Sequence, residues 1–323
     1  MRVFVAGATG AIGRPLVRQL IDAGHHVTAM TRSTGKVDAL RRLGAEAVVA
    51  DGLDAGAVGE AVARAEPDAI IHQMTALSGP PDLRRFDRWF AATNALRTRG
   101  TQHLLAAARA AGVRRVIAQS FTGWTNAREG GWVKSEDDPL DPRPAKAQRE
   151  SLAAIRFLER AVVEAEPEGI VLRYGAFYGP GAWETTVELV RQRKFPIIGN
   201  GAGVWSWIHV EDAAAATVAA LERGRRGIYN ITDDDPARVA EWLPYLAELV
   251  GAKPPLRVPA WLGRLLAGEA AVQWMTEGRG AANAKAKREL GWQPAWPSWR
   301  EGFRHALHQG GRAVASKGGE AVA

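Results

Sequence analysis

Apolar positions along the first 175 residues follow two alternating patterns. Short, nearly continuous apolar runs occur at Val3–Ala6, His26–Met30, Ala47–Ala50, Ala69–His72, Arg115–Gln119 and Gly169–Arg173. Runs this short, rich in β-branched and small residues, suit strands covered on both faces. Between them, Pro15–Ala23, Lys36–Leu43, Ala57–Ala65 and Asn94–Ala111 space apolar residues three and four apart, which predicts amphipathic helices. Strands alternating with helices make βαβ units, and these assemble into a doubly wound α/β fold around a parallel sheet. A Rossmann-type domain is expected over 1–175.

Beyond 175 the pattern loosens, and tryptophans and prolines increase. Helices are predicted at Glu211–Arg223, Ala237–Val250 and Asn283–Leu290. Residues 176–309 are expected to form mainly a smaller substrate-binding lobe over the carboxyl edge of the sheet, with some return to the first domain. Residues 310–323 lack periodicity and read as a disordered tail.

Composition narrows the chemistry. The chain has no cysteine, which excludes disulfides, thiolate nucleophiles and cysteine-bound metals. Its seven histidines show no His-x-x-x-His spacing with carboxylate partners, so no metal is expected. No apolar run approaches the roughly 20 residues that span a bilayer, and no charged-then-apolar leader precedes Val3. A cytoplasmic protein with no membrane partner is the expectation. Net charge is +7, yet Arg14, Arg18, Arg41, Arg42 and Arg64 are scattered along helices rather than clustered. No nucleic-acid partner is expected.

Residues 7–13 read Gly7-Ala-Thr9-Gly10-Ala11-Ile12-Gly13, directly after the first strand and before the first helix. The first glycine suits a tight turn, the second admits a pyrophosphate against the backbone, and the third lets helix and strand pack closely. The whole loop is thereby a candidate dinucleotide cradle. The second strand runs into Arg32-Ser33, and no acid occurs between His25 and Lys36. An NAD enzyme commonly places a carboxylate there for the ribose hydroxyls, whereas an arginine can fork onto a 2′-phosphate. NADP(H) is therefore expected ahead of NAD(H). Asp51 and Gly52 follow the third strand, where Asp51 either accepts from the adenine amino group or caps the loop. Gln73 and Met74 follow the fourth, beside the expected cofactor ribose.

With these features the chain resembles the extended short-chain dehydrogenase/reductases of the NAD-dependent epimerase/dehydratase family. Further motifs carry the resemblance: Asn94 with Gly100-Thr101-Gln102-His103-Leu104-Leu105, Leu172-Arg173-Tyr174-Gly175, Tyr178-Gly179-Pro180-Gly181, and Trp207-Ile208-His209-Val210-Glu211-Asp212. It implies a nicotinamide cofactor, a small-molecule substrate and a homodimer, and it adds Asn94 and Tyr174 to the cofactor site.

The family's chemistry uses a serine or threonine with a tyrosine and a lysine four residues apart on one helix. This chain has four tyrosines, and none is followed four residues later by lysine. Counting back from Glu159 puts Ser151 at the tyrosine position and Ile155 at the lysine position. Ser120 resembles the family serine, with Thr122 close behind. His72 and Tyr178 are the remaining tentative proton donors. The expected function is an atypical NADP(H)-dependent oxidoreductase acting on a small, mainly apolar carbonyl, alkene or imine. A cofactor-retaining isomerase or cyclase, or a non-catalytic NmrA-like dinucleotide sensor, are the alternatives. If two or three of Trp124, Trp132, Trp183, Trp205 and Trp207 line the pocket, the substrate is bulky and aromatic or polycyclic.

Overall fold

A computed structural model describes residues 1–77 and 82–308; the expected tail at 310–323 lies outside them. Seven strands form the central sheet: β1 (Arg2–Ala6), β2 (His26–Thr31), β3 (Glu46–Val49), β4 (Ala69–His72), β5 (Arg115–Phe121), β6 (Glu168–Tyr174) and β7 (Gly227–Ile231). Their order is β7-β6-β5-β4-β1-β2-β3, and every pairing is parallel. The six strands read from the sequence are all present. The seventh comes from beyond residue 175, where Asn230 interrupts the apolar run and conceals it.

Alternation along each strand explains the continuous apolar runs. Val3 and Val5 face α1 (Gly13–Asp22), and share a core with Leu16 and Leu20. Phe4 and Ala6 face the other way, toward α3 (Ala55–Ala65) and α5 (Thr101–Ala110), with Val58, Val62, Leu104 and Ala108. Both faces of the sheet are thus sealed. Two helices from the second half return to it: α8 (Val210–Arg223) and α12 (Ala284–Leu290) join the core of α1. On the opposite face, α6 (Arg149–Val163) packs Leu158 and Val162 against Ala118 and Val171. A separate aromatic core holds Tyr178, Trp183, Trp207, Trp242, Trp299 and Phe303.

The helix expected at Asn94–Ala111 is longer and interrupted. It begins with α4 (Phe86–Ala95), widens into a π turn at Leu96–Gly100, and continues as α5. Phe86, Trp89, Phe90 and Thr93 do carry helical spacing, so this start was legible. The wide turn was not: single π turns carry no pattern of their own, and they recur at functional sites.

Candidate active site

Strand β1 pairs with β2 on one side and β4 on the other, so the crossovers diverge at this point. A crevice opens there beyond the carboxyl ends, the place where doubly wound sheets take ligands. The loop Gly7–Gly13 forms its floor. Gly7 has φ +93°, and a Cβ there would lie 2.6 Å from the Gln73 carbonyl. A Cβ on Gly13 would stand 2.4 Å from the Gly7 oxygen. Gly10 differs: it is exposed and its Cβ would meet only the Gly7 oxygen, at 3.5 Å. Its open side is therefore the cradle. Ala8 and Ile12 are buried and anchor the loop, while Thr9 and Ala11 stay half-buried. The first turn of α1 carries no side-chain cap and no acidic residue, which leaves its N–H groups to an anion. These residues fit a diphosphate.

Around the cradle, Arg32 is exposed just after β2 and forms no ion pair with any described residue. Asp51 accepts from the Leu53 N–H at 2.9 Å, so it caps its loop. Gly52 lies against Met74 and Leu96. The Gln73 amide donates to the Tyr174 hydroxyl at 3.2 Å, and Tyr174 shares a 2.6 Å bond with Thr217. Tyr174 is a correction to the sequence reading. Fully buried, with its hydroxyl spent inside the core, it supports the floor from beneath rather than lining the crevice.

The opposite wall is polar and tightly bonded. Ser120, at the end of β5, donates to Glu159 on α6 at 2.7 Å. Glu159 also takes both arms of a fork from Arg173, at 2.8 and 2.7 Å. Glu159 and Arg173 are both buried. With its hydrogen committed to a carboxylate, Ser120 can offer a ligand only its lone pairs. Thr122, two residues further on, accepts from the Asn126 amide nitrogen at 3.0 Å and donates its own hydrogen to Asn126 Oδ1 at 3.3 Å.

Ser151 occupies the expected tyrosine position and is sealed. Its hydroxyl donates to Asp87 at 2.6 Å and accepts from Asn94 at 3.0 Å. Asp87 also accepts from the N–H groups of Glu150 and Ser151, at 3.1 and 2.8 Å, capping α6 from α4. Sequence reasoning missed Asp87, because a cap supplied from 63 residues away leaves no local signal. Ile155 is fully buried and apolar. Beside α6, the π turn presents Arg97, 5% exposed, whose guanidinium lies 5.5 Å over the Phe90 ring and has no hydrogen bond among the described residues. Burial pushes its pKa down to about 10 while Glu159 opposes the shift, so it stays charged at neutral pH. Asn94, three residues earlier, has its Oδ1 buried without a partner.

Two tentative proton donors are corrected. His72 accepts from the Met74 N–H at Nδ1 (3.2 Å) and so donates from Nε2 to Thr101 (3.2 Å). Desolvation pushes its pKa down to about 4, so the ring is neutral and both nitrogens are occupied. Tyr178 is wholly buried among Trp183, Trp207, His209 and Phe303. Burial, with Asp233 and Asp212 adding to it, drives its phenol far above the ordinary range. A phenol held there has no opening to the crevice.

Next to this wall is a small cavity of about 40 Å³ lined by Phe121, Thr122, Trp124, Trp205, Ser206 and Trp274. Trp124 and Trp274 stack with ring centres 6.2 Å apart, and Phe86 meets both edge-on. Of the five tryptophans named above, Trp124 and Trp205 reach this cavity. Trp183 and Trp207 lie in the second core, and Trp132 is an exposed residue covered by Arg279. Trp274 was missed because it lies on α11 (Glu269–Thr276), a helix absent from the sequence reading.

The model of the NAD dependent epimerase/dehydratase family matches residues 3–232. A protein from Streptomyces sp, 3-diazoavenalumate denitrifying reductase, is 45% identical over 94% of this chain and 99% of its own. The ceramide reductase of Caulobacter vibrioides is 30% identical over 93% of this chain and 88% of its own. Among solved structures, a UDP-glucose 4-epimerase from Thermotoga maritima superposes with a TM-score of 0.77 at 22% identity, over 97% of this chain and all of that one. The human epimerase family protein SDR39U1 with NADPH gives 0.74 at 21% identity, over 95% and 99%. The sheet order, the glycine loop and these likenesses agree: the chain belongs to the NAD dependent epimerase/dehydratase family and is an oxidoreductase of that type.

Proposed function

We propose that this chain is an NADPH-dependent reductase that acts on a diazo group borne by an aromatic or conjugated substrate and releases dinitrogen. One observation carries the reading: the wall where the family keeps a phenol and an ammonium holds Ser151 and Ile155, while the adjoining cavity is walled by stacked indoles.

Reduction of a ketone builds negative charge on oxygen, and a positioned acid contributes about 10²–10⁴-fold to such a step. A diazonium-type group needs no acid. When bound, the nicotinamide supplies a hydride. Its addition to the terminal nitrogen of R–N₂⁺ leaves a neutral diazene, R–N=N–H, which yields R–H and N₂ as the hydrogen passes to carbon. Atoms and charge balance with no external proton. The chain's own contribution is placement, and holding two reactants together can supply about 7–11 kcal/mol. Gly7–Gly13 and the N-terminus of α1 would hold the diphosphate, and Arg32 the 2′-phosphate. The indole faces of Trp124 and Trp274 suit a flat cationic ring system by stacking and cation–π attraction. Thr122, by turning its hydroxyl away from Asn126 Oδ1, would donate to a substrate polar group. The Streptomyces relative, named for a diazo substrate and a denitrifying reduction, supports the same chemistry.

The test is anaerobic turnover of NADPH with an arenediazonium salt and with a matched aryl ketone, following NADPH absorbance, dinitrogen by mass spectrometry and the arene by chromatography. Stoichiometric dinitrogen and arene per NADPH, with little ketone turnover, is the expected result. Faster oxidation with the ketone and no dinitrogen would overturn the proposal.

A further inference from the structure

Arg97 is a buried cation with no ion pair of its own among the described residues. Its guanidinium makes no hydrogen bond among the described residues, and its Nη1 is buried without a partner. The carboxylate facing it, Glu159, is already committed to the fork from Arg173 and the hydroxyl of Ser120. Arg97 therefore has no carboxylate of its own: Glu159 serves Arg173 and Ser120, and Glu136 acts on Arg173 and Lys285. Keeping a charge out of water without a partner costs several kcal/mol. A fold that tolerates this has a use for it, or a ligand completes it.

The position points to a ligand. Arg97 sits on the wide turn that faces α6, beside the stretch where Ser151 and Ile155 leave neither a phenol nor an ammonium. From it an aromatic row runs to the cavity: Phe90 under the guanidinium, Phe86 stacked on Phe90 at 4.4 Å, and Trp124 edge-on to Phe86 at 5.0 Å. Three residues before Arg97, Asn94 has its Oδ1 buried without a partner as well.

We infer that Arg97 is the substrate's charge-recognition residue: it takes an acidic group, a carboxylate or ring oxyanion, of a flat conjugated substrate whose other end reaches the indoles of the cavity. The site thus selects substrates that carry an acidic group, whatever the charge of the reacting end. This rests on reading the crevice as a substrate site, but not on diazo chemistry. Arg97 is a positioning residue here, acting by charge and not by proton transfer.

The experiment is equilibrium binding to the full chain loaded with NADP⁺, using trans-cinnamate and its neutral isostere cinnamamide as probes and calorimetry or tryptophan quenching as readout. Wild type should prefer the carboxylate by at least about tenfold, Arg97→Met should erase the preference, and Arg97→Lys should keep part of it. Because the charge is unpaired without ligand, Arg97→Met should unfold at a temperature equal to or above that of wild type. Equal affinity for both probes in wild type overturns the inference. So does a preference that survives Arg97→Met, or a weakened grip on NADP⁺ with the preference intact. Failure of Arg97→Met to fold overturns it as well, since the residue would then be structural. Carboxylate preference without diazo turnover would leave the Arg97 assignment standing and remove only the diazo reading.

Discussion

At the glycine loop the requirements of a dinucleotide are met one for one: Gly7 and Gly13 close against backbone, Gly10 stands open, and the first turn of α1 has no acid to repel a phosphate. Across the crevice the arrangement is rebuilt. Ser120 points its hydrogen into a carboxylate, Ser151 is sealed between Asp87 and Asn94, and Arg97 arrives from a different helix. Holding the hydride source and moving a proton are separable tasks. Placement contributes the larger share of rate, so a substrate that needs no acid relieves the second wall of its duty while the first is kept.

The largest expected effect concerns the rebuilt wall. Glu159→Gln should remove about 3–5 kcal/mol of stability by leaving Arg173 buried and unpaired, measured by chemical denaturation at neutral pH. A loss below about 1 kcal/mol, the usual range for exposed pairs, would show that the pair is not sealed. Next is acid sensitivity from His72. Its folded pKa, near 4, lies below the ordinary 6.5, so the unfolded chain binds the extra proton in that interval. The stability it contributes is complete above pH 6.5 and is lost as pH falls toward 4. The amount is about 3 kcal/mol. Denaturation at pH 7 and pH 4.5 should show this drop, and His72→Gln should remove that part of it.

On the glycine-loop side, Arg32→Ala should weaken NADPH binding by about 10–100-fold, the value of a charge-assisted bond, and leave NADH binding unchanged. Equal losses for both cofactors would mean that Arg32 does not read the 2′-phosphate. The smallest effect belongs to Ser120→Ala. Turnover should fall by less than about threefold, far under the 10²–10⁴-fold expected of an acid–base partner. A hundredfold loss would return the serine to a direct part in catalysis and erase the contrast between the walls.

Legibility from sequence divides along the same line. Six strands of the sheet and the glycine loop were readable because each rests on neighbours in the chain: the continuous apolar run of Val3–Ala6, a turn of seven residues, a helix beginning at once. The absence of a tyrosine–lysine pair was equally plain. What replaced it was not. Asp87 meets Ser151 across 64 residues, and Ser120 meets Glu159 across 39. Such pairings arise only when β5, α4 and α6 are brought together, so no local spacing announces them. Tyr174 and Tyr178 misled for a related reason. A residue type suited to a cleft is equally suited to a core, and burial alone decides between them.

The wide turn at Leu96–Gly100 has a consequence for how such a site can arise. An added residue within a helix swings everything before it by about 100° relative to everything after. One insertion or deletion there would therefore rotate α4 bodily, withdrawing Asn94 from Ser151 and Asp87 from the start of α6, with no change of side chain at any of those positions. Relatives of this chain could thus exchange one set of inward groups for another through a length change alone, a route that residue-by-residue comparison of the wall would miss.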